Sequence, residues 1–448
     1  MKRLAIAVLS CLILLLAACD AIGVGGDGRD AREGSPEWSG TLRVALFTAG
    51  SGIPLYKAGT HPLNQNTTIQ MRMKEFMELH PGVEIEVIDI PSGKGNVDDV
   101  LNDPEIKPDI VELTPYQAVN MHADRLLDLG DWIGQENLWP GPYGDLNSRV
   151  TSSGDAVLLP IRVDPMVIYY DPAKFAELGL KEPEEGWTIL DYVEAGRRLV
   201  EAGYAVYFPV GVVDTESMIR SWSGQFASPD GREVIGWLDS EETIEAFVRY
   251  TQLIPEEANP KKYNLGRDLA ALGVGQAGAL WQLIELRYAE YGVGPMPKAP
   301  DGERLNAARM SGAAIVKDSS QQALAWEFLK WLIGKTDEEA MEFAAINTLD
   351  TLHEPFRTSG NRSVAALREQ TIKEIAYSVP ASFYPYMARP GYFDMALPYP
   401  IRSWEEDAAY RDRETARREL AAQAKEWEEW MAAAQYAVPR SLTRTSAP

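Results

Sequence analysis

The segment Leu158–Leu180, LLPIRVDPMVIYYDPAKFAELGL, decides the fold. It opens with a strand-like run, Val157 to Val163, interrupted by Pro160. A second apolar run, Met166 to Tyr170, follows. Asp171-Pro172 then starts a helix. The Asp side chain accepts from the first free N–H groups, and Pro fits the first helical position, where an N–H would have no partner. Gly179 supplies a left-handed stop. Proline cannot donate to a sheet ladder, so one central strand would not carry both Pro160 and Pro165. A chain passing from one lobe to another tolerates them. That places Arg162 and Asp164 at the crossing, where a cleft between lobes would lie.

At about 150 residues per domain, 448 residues predict two or three domains with large cores. A composition of 45% hydrophobic and 24% charged residues predicts that most of the chain folds. The formal net charge of -23 has no basic cluster to offset it, which excludes nucleic-acid binding as a main function. Lys2 and Arg3 precede an apolar stretch, Leu4 to Ala18, that is short for a permanent membrane span. It ends Leu16-Ala17-Ala18-Cys19, which resembles a bacterial lipobox cut before Cys19, whose sulfur is then acylated. Cleavage would also remove Cys11, leaving no disulfide framework and no cysteine nucleophile.

Asp20 to Ser39 reads as a flexible tether. Thr41 to Thr48 and Val83 to Ile90 read as strands around a helix, Thr67 to His80, capped by Thr67 and Gln70, and this order predicts a parallel unit. Asp109 to Leu113 is a short strand. Thr114-Pro115-Tyr116-Gln117 after it is a strand-to-helix turn, which makes Thr114 both a cap and a cleft candidate, since ligands lie beyond the carboxyl ends of strands in open α/β sheets. Further on, Thr188 and Asp191 cap a helix to Ala202, Ala205 to Val213 reads as a strand, and Thr243 to Leu253 as a helix. Arg267 to Gly278 reads as a helix running into a strand, Ala279 to Leu283. Gly312 to Val316 is a strand, and Ser319 and Gln322 cap a helix that ends at Gly334. Ser403 and Glu406 box the start of a long final helix to about Tyr436.

Catalytic signatures are not found. None of the four histidines pairs at metal-ligand spacing, and no serine sits in a nucleophile elbow. Ser92-Gly93-Lys94-Gly95 lacks the flanking residues of a phosphate loop.

Several segments together resemble the bacterial extracellular solute-binding proteins of family 1, the carbohydrate-type receptors of ABC importers. They are DIVELTPYQAVNMHADRLLDLGDWI, the crossing quoted above, GWTILDYVEAGRRLV, GQAGALWQL, and GPMPKAPDGERLNAARMSGAAIVKDSSQQALAWEFLKWLIG. The resemblance runs from about Thr41 to Tyr436. It implies an α/β, two-lobed periplasmic-binding-protein-like fold, each lobe a mostly parallel sheet flanked by helices, with crossings near Leu158–Arg162 and Asn306–Gly312. The implied division is a lipoprotein signal peptide at 1–18 and a tether at 19–39. An N-terminal lobe of 40–158 and 308–362, a C-terminal lobe of 159–307 and 363–437, and a disordered tail at 438–448 complete it.

The resemblance also implies ligand contacts. Asp164, past the first crossing, would accept ligand hydroxyls. Trp281, beside Gln282, would lie under the ligand, although Ala279 stands where the family's usual Met does. Tyr399 and Trp404 match an aromatic platform before the last helix. A pyranose offers an apolar C–H face to an aromatic ring and a rim of hydroxyls to carboxylates, amides and arginines. Trp222 is a further aromatic candidate. Trp281 reads equally as core, and Arg162 and Arg402 equally as salt bridges between lobes. The expected function is a lipid-anchored receptor, on the extracytoplasmic face of the cell membrane, that delivers a sugar or oligosaccharide to ABC permease subunits. It would be a monomer without cofactor or catalytic group. A secreted carbohydrate-active enzyme and a ligand-presenting sensor partner are the competing readings.

Overall fold

The computed structural model describes residues 38–48, 68–91, 97–150, 155–209, 212–255, 270–287, 290–349, 362–382 and 411–436. The chain divides after Trp38, and every element below belongs to the unit Ser39–Pro448. Strand β1 (Ser39–Thr48), helix α1 (Thr68–Leu79) and strand β2 (Gly82–Pro91) form the expected parallel unit, β1 and β2 pairing along their whole length. Ile69, Met73 and Phe76 are buried at the spacing of one helix face. Helix α2 (Val97–Asn102) leads to β3 (Ile110–Leu113), and a helical turn through Met121 follows. Next come α3 (Gly130–Glu136), α4 (Pro142–Val150), β4 (Leu159–Asp164) and β5 (Met166–Tyr170). Helices α5 (Pro172–Leu178), α6 (Ile189–Glu201), α7 (Val212–Arg220) and α8 (Glu241–Leu253) precede β6 (Leu272–Gln276), α9 (Ala277–Arg287) and β7 (Gly292–Gly294). Strand β8 (Asn306–Ile315), α10 (Gln322–Ile333), α11 (Asp337–Leu349), α12 (Arg362–Ile375), β9 (Ser378–Pro380) and α13 (Arg413–Tyr436) complete the chain.

The larger sheet has the order β2-β1-β3-β8-β4, with β9 attached to β8; the smaller has the order β6-β5-β7. The second half of β8 lies between β3 and β4, antiparallel to both, while its first residues pair in parallel with β9. Strand β4 stands at the end of this order, and a register shift between Pro160 and Arg162 absorbs the proline. Asp164 still pairs with β8, whereas Met166 already pairs with β6. The chain therefore changes sheet at Pro165, and residues 159–164 remain in the larger sheet. The described strands of the smaller sheet pair antiparallel, where a mostly parallel set was expected.

Strand β5 is buried on both faces, which explains its unbroken apolar run. Met166, Ile168 and Tyr170 join the large core that reaches into both sheets, while Val167 and Tyr169 pack with Leu280, Trp281 and Ile284 of α9 in a second cluster. Two of the expected caps hold; Thr67 lies outside the described residues, and α10 begins after Gln321 without a side-chain cap, Ser319 Oγ accepting from the Gln321 N–H instead. Asp171 accepts from the N–H groups of Ala173 and Lys174, Gly179 has φ +59°, and Thr188 and Asp191 form a reciprocal box.

Two expected elements differ. Of Ala205 to Val213, the described residues up to Pro209 make a single bridge, Val206 to Leu272, and Val212 and Val213 belong to α7. Tyr207 donates to the Leu272 carbonyl, and the next N–H on that side would be that of Pro209, which has none. The order around residue 276 is also reversed, strand first and helix second. Gly273 lies opposite Tyr169, and a Cβ there would come within 2.3 Å of the Tyr169 hydroxyl, so the glycine admits the ring and permits the strand. The final helix begins at Arg413, and Asp412 accepts from the Thr415 N–H. Ser403 and Glu406 lie outside the described residues. Helix α11 was not foreseen, although Thr336 and Glu339 form a legible capping box ahead of it.

Polar ties fix the larger sheet. Glu112 of β3 is wholly buried. It accepts from the Phe47 N–H of β1 at 2.9 Å, from the Ser311 hydroxyl of β8, and from Arg162 Nε of β4 at 2.9 Å. Arg162 also donates to the Asn347 carbonyl of α11, and Asn347 Nδ2 returns a bond to the Ile161 carbonyl. Removing one member of such a pair strands the other charge. Glu112→Ala is expected to cost about 3–5 kcal/mol of unfolding free energy. Replacing Glu112 and Arg162 together by Leu and Met should recover most of that loss. Urea titrations of the three proteins provide the check, and additive losses in the double variant would count against the coupling.

Candidate functional site

Two clamps hold the crossing between the sheets. The side chain of Asn306 mimics a strand partner, accepting from the Met166 N–H at 2.9 Å and donating to the Met166 carbonyl at 2.7 Å. The buried Glu374 of α12 accepts from Asn306, from Gln370 and from the Met296 N–H. Burial raises the Glu374 carboxyl above its ordinary value, opposed by Arg304 and these bonds. The second clamp is Asp164. Its carboxylate accepts from the Gly278 N–H at 2.8 Å, and the Pro165 carbonyl accepts from the Ala277 N–H. The first two N–H groups of α9 are thus met by the crossing itself. Burial raises the Asp164 carboxyl, against the lowering influence of Gly278 and Arg309.

A cavity of about 410 Å³ opens beyond the carboxyl end of β3. One wall is the turn after β3, with Pro115, Tyr116 and Val119. The opposite wall is Arg220 at the end of α7, with Gln225 and Ser228 to Gly231. The end of α4, Ser148 to Val150, and the segment Val379 to Ser382 line the rest. Thr114 builds the first wall: its N–H donates to Gln117 Oε1, and its hydroxyl oxygen accepts from the Gln117 N–H. This reciprocal cap leaves the half-buried Tyr116 ring at the cavity.

Arg220 is held by the wholly buried Glu216, one helical turn earlier, at 2.8 Å. Glu216 also accepts from the N–H and hydroxyl of Ser382. Asp230 is similarly engaged. Against burial, which would raise it, bonds from the Ser228 hydroxyl and the Arg232 N–H hold its carboxyl below the ordinary value. Asn120 joins the two walls directly. Its Nδ2 donates to the Asp230 carbonyl at 2.6 Å, and its Oδ1 accepts from Arg232 Nε. Among the described residues no group of His, Cys, Asp and Glu is placed to hold a metal ion.

None of the residues named from sequence is among the described residues that line this cavity. Thr114 shapes its wall. Arg162 is engaged with Glu112 inside the larger sheet. Asp164 caps α9. Trp281 lies in the second core cluster, 9% exposed. Trp222 is half-buried against the large core. Gln282 falls within α9. Tyr399, Arg402, Trp404 and Cys19 lie outside the described residues. Tyr116, Arg149, Arg220 and Gln225 were not singled out. The Pro-Tyr pair at a strand-to-helix turn was a legible signal for Tyr116. Nothing local distinguishes the arginines, because the segment that gathers them is distant in sequence.

The family model of the bacterial extracellular solute-binding protein matches residues 61–339. No curated protein matches the chain in sequence. Among solved structures, the sugar-binding protein MalE from Xanthomonas citri is similar at TM-score 0.61 and 14% identity, over 89% of this chain and 98% of its own. An extracellular solute-binding protein family 1 from Alicyclobacillus acidocaldarius has TM-score 0.61 and 12% identity, over 89% and 100%. A sugar transporter from Rhizobium etli in an open conformation has TM-score 0.58 and 16% identity, over 86% and 99%. At these identities the likeness shows the fold: two α/β lobes of the periplasmic-binding-protein type.

The Asp164 clamp has a testable pH signature. A carboxyl raised in the folded state contributes fully below the unfolded value, and that contribution is lost as pH rises through the folded one. Asp164→Asn keeps an acceptor for Gly278 without the charge, so its stability should be less dependent on pH above the ordinary carboxylate range. Asp164→Ala should cost about 1 kcal/mol at low pH by uncapping α9, and less as pH rises through the folded value. Thermal melts across pH would compare the three proteins; parallel curves for wild type and Asp164→Asn would refute the assignment.

Proposed function

This chain belongs to the bacterial extracellular solute-binding proteins, and we propose that it is the receptor of an ABC importer, taking a sugar or oligosaccharide between its lobes. The observation that carries the reading is the cavity beyond β3, walled by residues that lie far apart in sequence and meet across a cleft. Its surface suits a saccharide: apolar Pro115, Tyr116, Val119 and Pro229 stand beside Gln225, Ser228 and Arg220. Tyr116 offers a ring for a pyranose face, and the amide and hydroxyls meet the rim. The sugar-binding and sugar-transporter neighbours support the same ligand class.

Closure by a hinge accompanies binding in this proposal. The segments that cross between sheets are short and turn on Pro165 and Asn306, so rotation about a few backbone torsions would open the cleft without unfolding either lobe. The Asn120 contacts to Asp230 and Arg232 belong to the closed arrangement. Opening breaks them, and bound solute would compensate. Cys19, acylated after signal cleavage, would hold the receptor beside its permease, and more than one acyl chain gives durable anchoring. Asp164, Arg162 and Trp281 are proposed as supports of the cleft rather than as its contacts.

The test is a thermal-shift screen over neutral and acidic mono- and oligosaccharides, followed by calorimetry. A solute bound by the native state alone raises stability by about 2.7 kcal/mol at 100 times its Kd. Tyr116→Ala should weaken the best solute about tenfold while leaving the melting temperature of the free protein nearly unchanged, since the ring is half-exposed. Turnover of the sugar, or no stabilisation by any saccharide, would overturn the receptor reading. Cys19→Ala should move the protein from the membrane to the soluble fraction of the producing cell.

A further inference from the structure

The donors and acceptors around the cavity are unevenly engaged. Both carboxylates at its edge are occupied by protein donors. Glu216 takes bonds from Arg220 and from the N–H and hydroxyl of Ser382. Asp230 takes bonds from Ser228 and Arg232. Both bonds to Asp230 fall on Oδ1, and its Oδ2 lies 3.7 Å from Arg232 Nε, so each of these carboxylates already faces a guanidinium of the protein. One guanidinium is in the opposite condition. Arg149, exposed at the end of α4, donates from Nη1 to the carbonyls of Ala376 and Ser378 at 3.2 and 3.3 Å. Its Nε and Nη2 have no acceptor, and no carboxylate pairs with it, among the described residues.

The backbone explains why this arginine stands beside Arg220. One edge of β9 pairs with β8: the Tyr377 carbonyl accepts from Asn306, and the Ala381 N–H donates to Ala308. Carbonyls alternate along a strand, so those of Ser378 and Pro380 emerge from the other edge. Arg149 meets the first, and Arg220 Nη2 meets the second at 3.4 Å and the Ser382 hydroxyl at 3.0 Å. Two residues of strand separate these carbonyls by about 6.6 Å. A pair of guanidiniums is therefore mounted on one strand edge that lines the cavity, and Glu216 neutralises only one of them.

A neutral sugar needs acceptors as well as donors. A ligand carboxylate needs donors alone, and the planar Nε/Nη2 edge of an arginine is the group that binds it with two parallel bonds. We infer that the solute is an acidic saccharide whose carboxylate sits against Arg149 on the β9 edge, beside Arg220. This rests on the receptor reading above and deepens it to a ligand class.

Calorimetry with three oligosaccharides of matched length tests it: a neutral one, the corresponding oligouronate and a sulfated one, each against wild type and Arg149→Gln, with melts to establish folding. The uronate should bind wild type at least tenfold tighter than the neutral sugar, lose about tenfold in Arg149→Gln, and weaken with added salt. Neutral sugar bound as tightly as uronate, with Arg149→Gln indifferent between them, would overturn the inference and leave the receptor standing. Preference for the sulfated sugar would overturn the carboxylate assignment. Binding of none would remove the receptor reading and this inference together. Should Arg149→Gln prove unstable, Arg149→Lys keeps the charge but not the fork and is expected to retain only part of the uronate preference.

Discussion

A carboxylate with no access to water must have its lone pairs met by donors, or its burial costs several kcal/mol. Glu112 is such a group, and the larger sheet is arranged around it. Its donors come from β1, β8 and β4, while it sits on β3. In the strand order β1-β3-β8-β4 its two neighbours, β1 and β8, and the long Arg162 side chain from the strand beyond β8 can all reach this one side chain. Arg162 extends the tie to α11, where Asn347 and Thr348 hold the backbone of β4 on its outer side. The end of β4 is therefore a rigid point of departure for the chain that leaves the sheet at Pro165.

What departs must still satisfy its backbone groups. Leaving a sheet forfeits ladder partners, and the crossing replaces them with side chains. Asn306 serves Met166 on both sides of its peptide, and Asp164 and Pro165 serve the start of α9. The crossing is consequently polar within an apolar surrounding. The cavity lies to one side of it, where the turn after β3 faces the end of α7. In the proposed receptor, solute recognition and mechanical support fall to different residues.

This separation accounts for how much of the site could be read in advance. The crossing was legible because two prolines interrupt one apolar run, and that is a backbone argument needing no partner. The direction of the Asp164 side chain was not, because Gly278 lies more than a hundred residues away. Trp281 turned into the core because the segment before it became a strand, which Gly273 allows only by lying beneath Tyr169. Thr114 was legible as a cap, and the cavity begins immediately after it. Arg149 and Arg220 carry no local mark at all. Their significance comes from the β9 edge, a three-residue strand that sequence patterning is too short to reveal.

The sequence alone determined the α/β class, the caps at Asp171 and Thr188, the parallel opening unit and the interruption of the apolar run by Pro160 and Pro165, while the change of sheet falls at Pro165 and not at residue 159. Each of these is local: a cap spans four residues, a strand's alternation two, and a proline acts on its own nitrogen. Strand order, the reversal at Gln276, the pairing of Glu112 with Arg162 and the gathering of guanidiniums at the cavity were decided only by tertiary structure. They depend on which distant groups are brought to hydrogen-bonding distance, and a buried charge or an unpaired strand edge selects its partner by geometry that no short window of sequence contains.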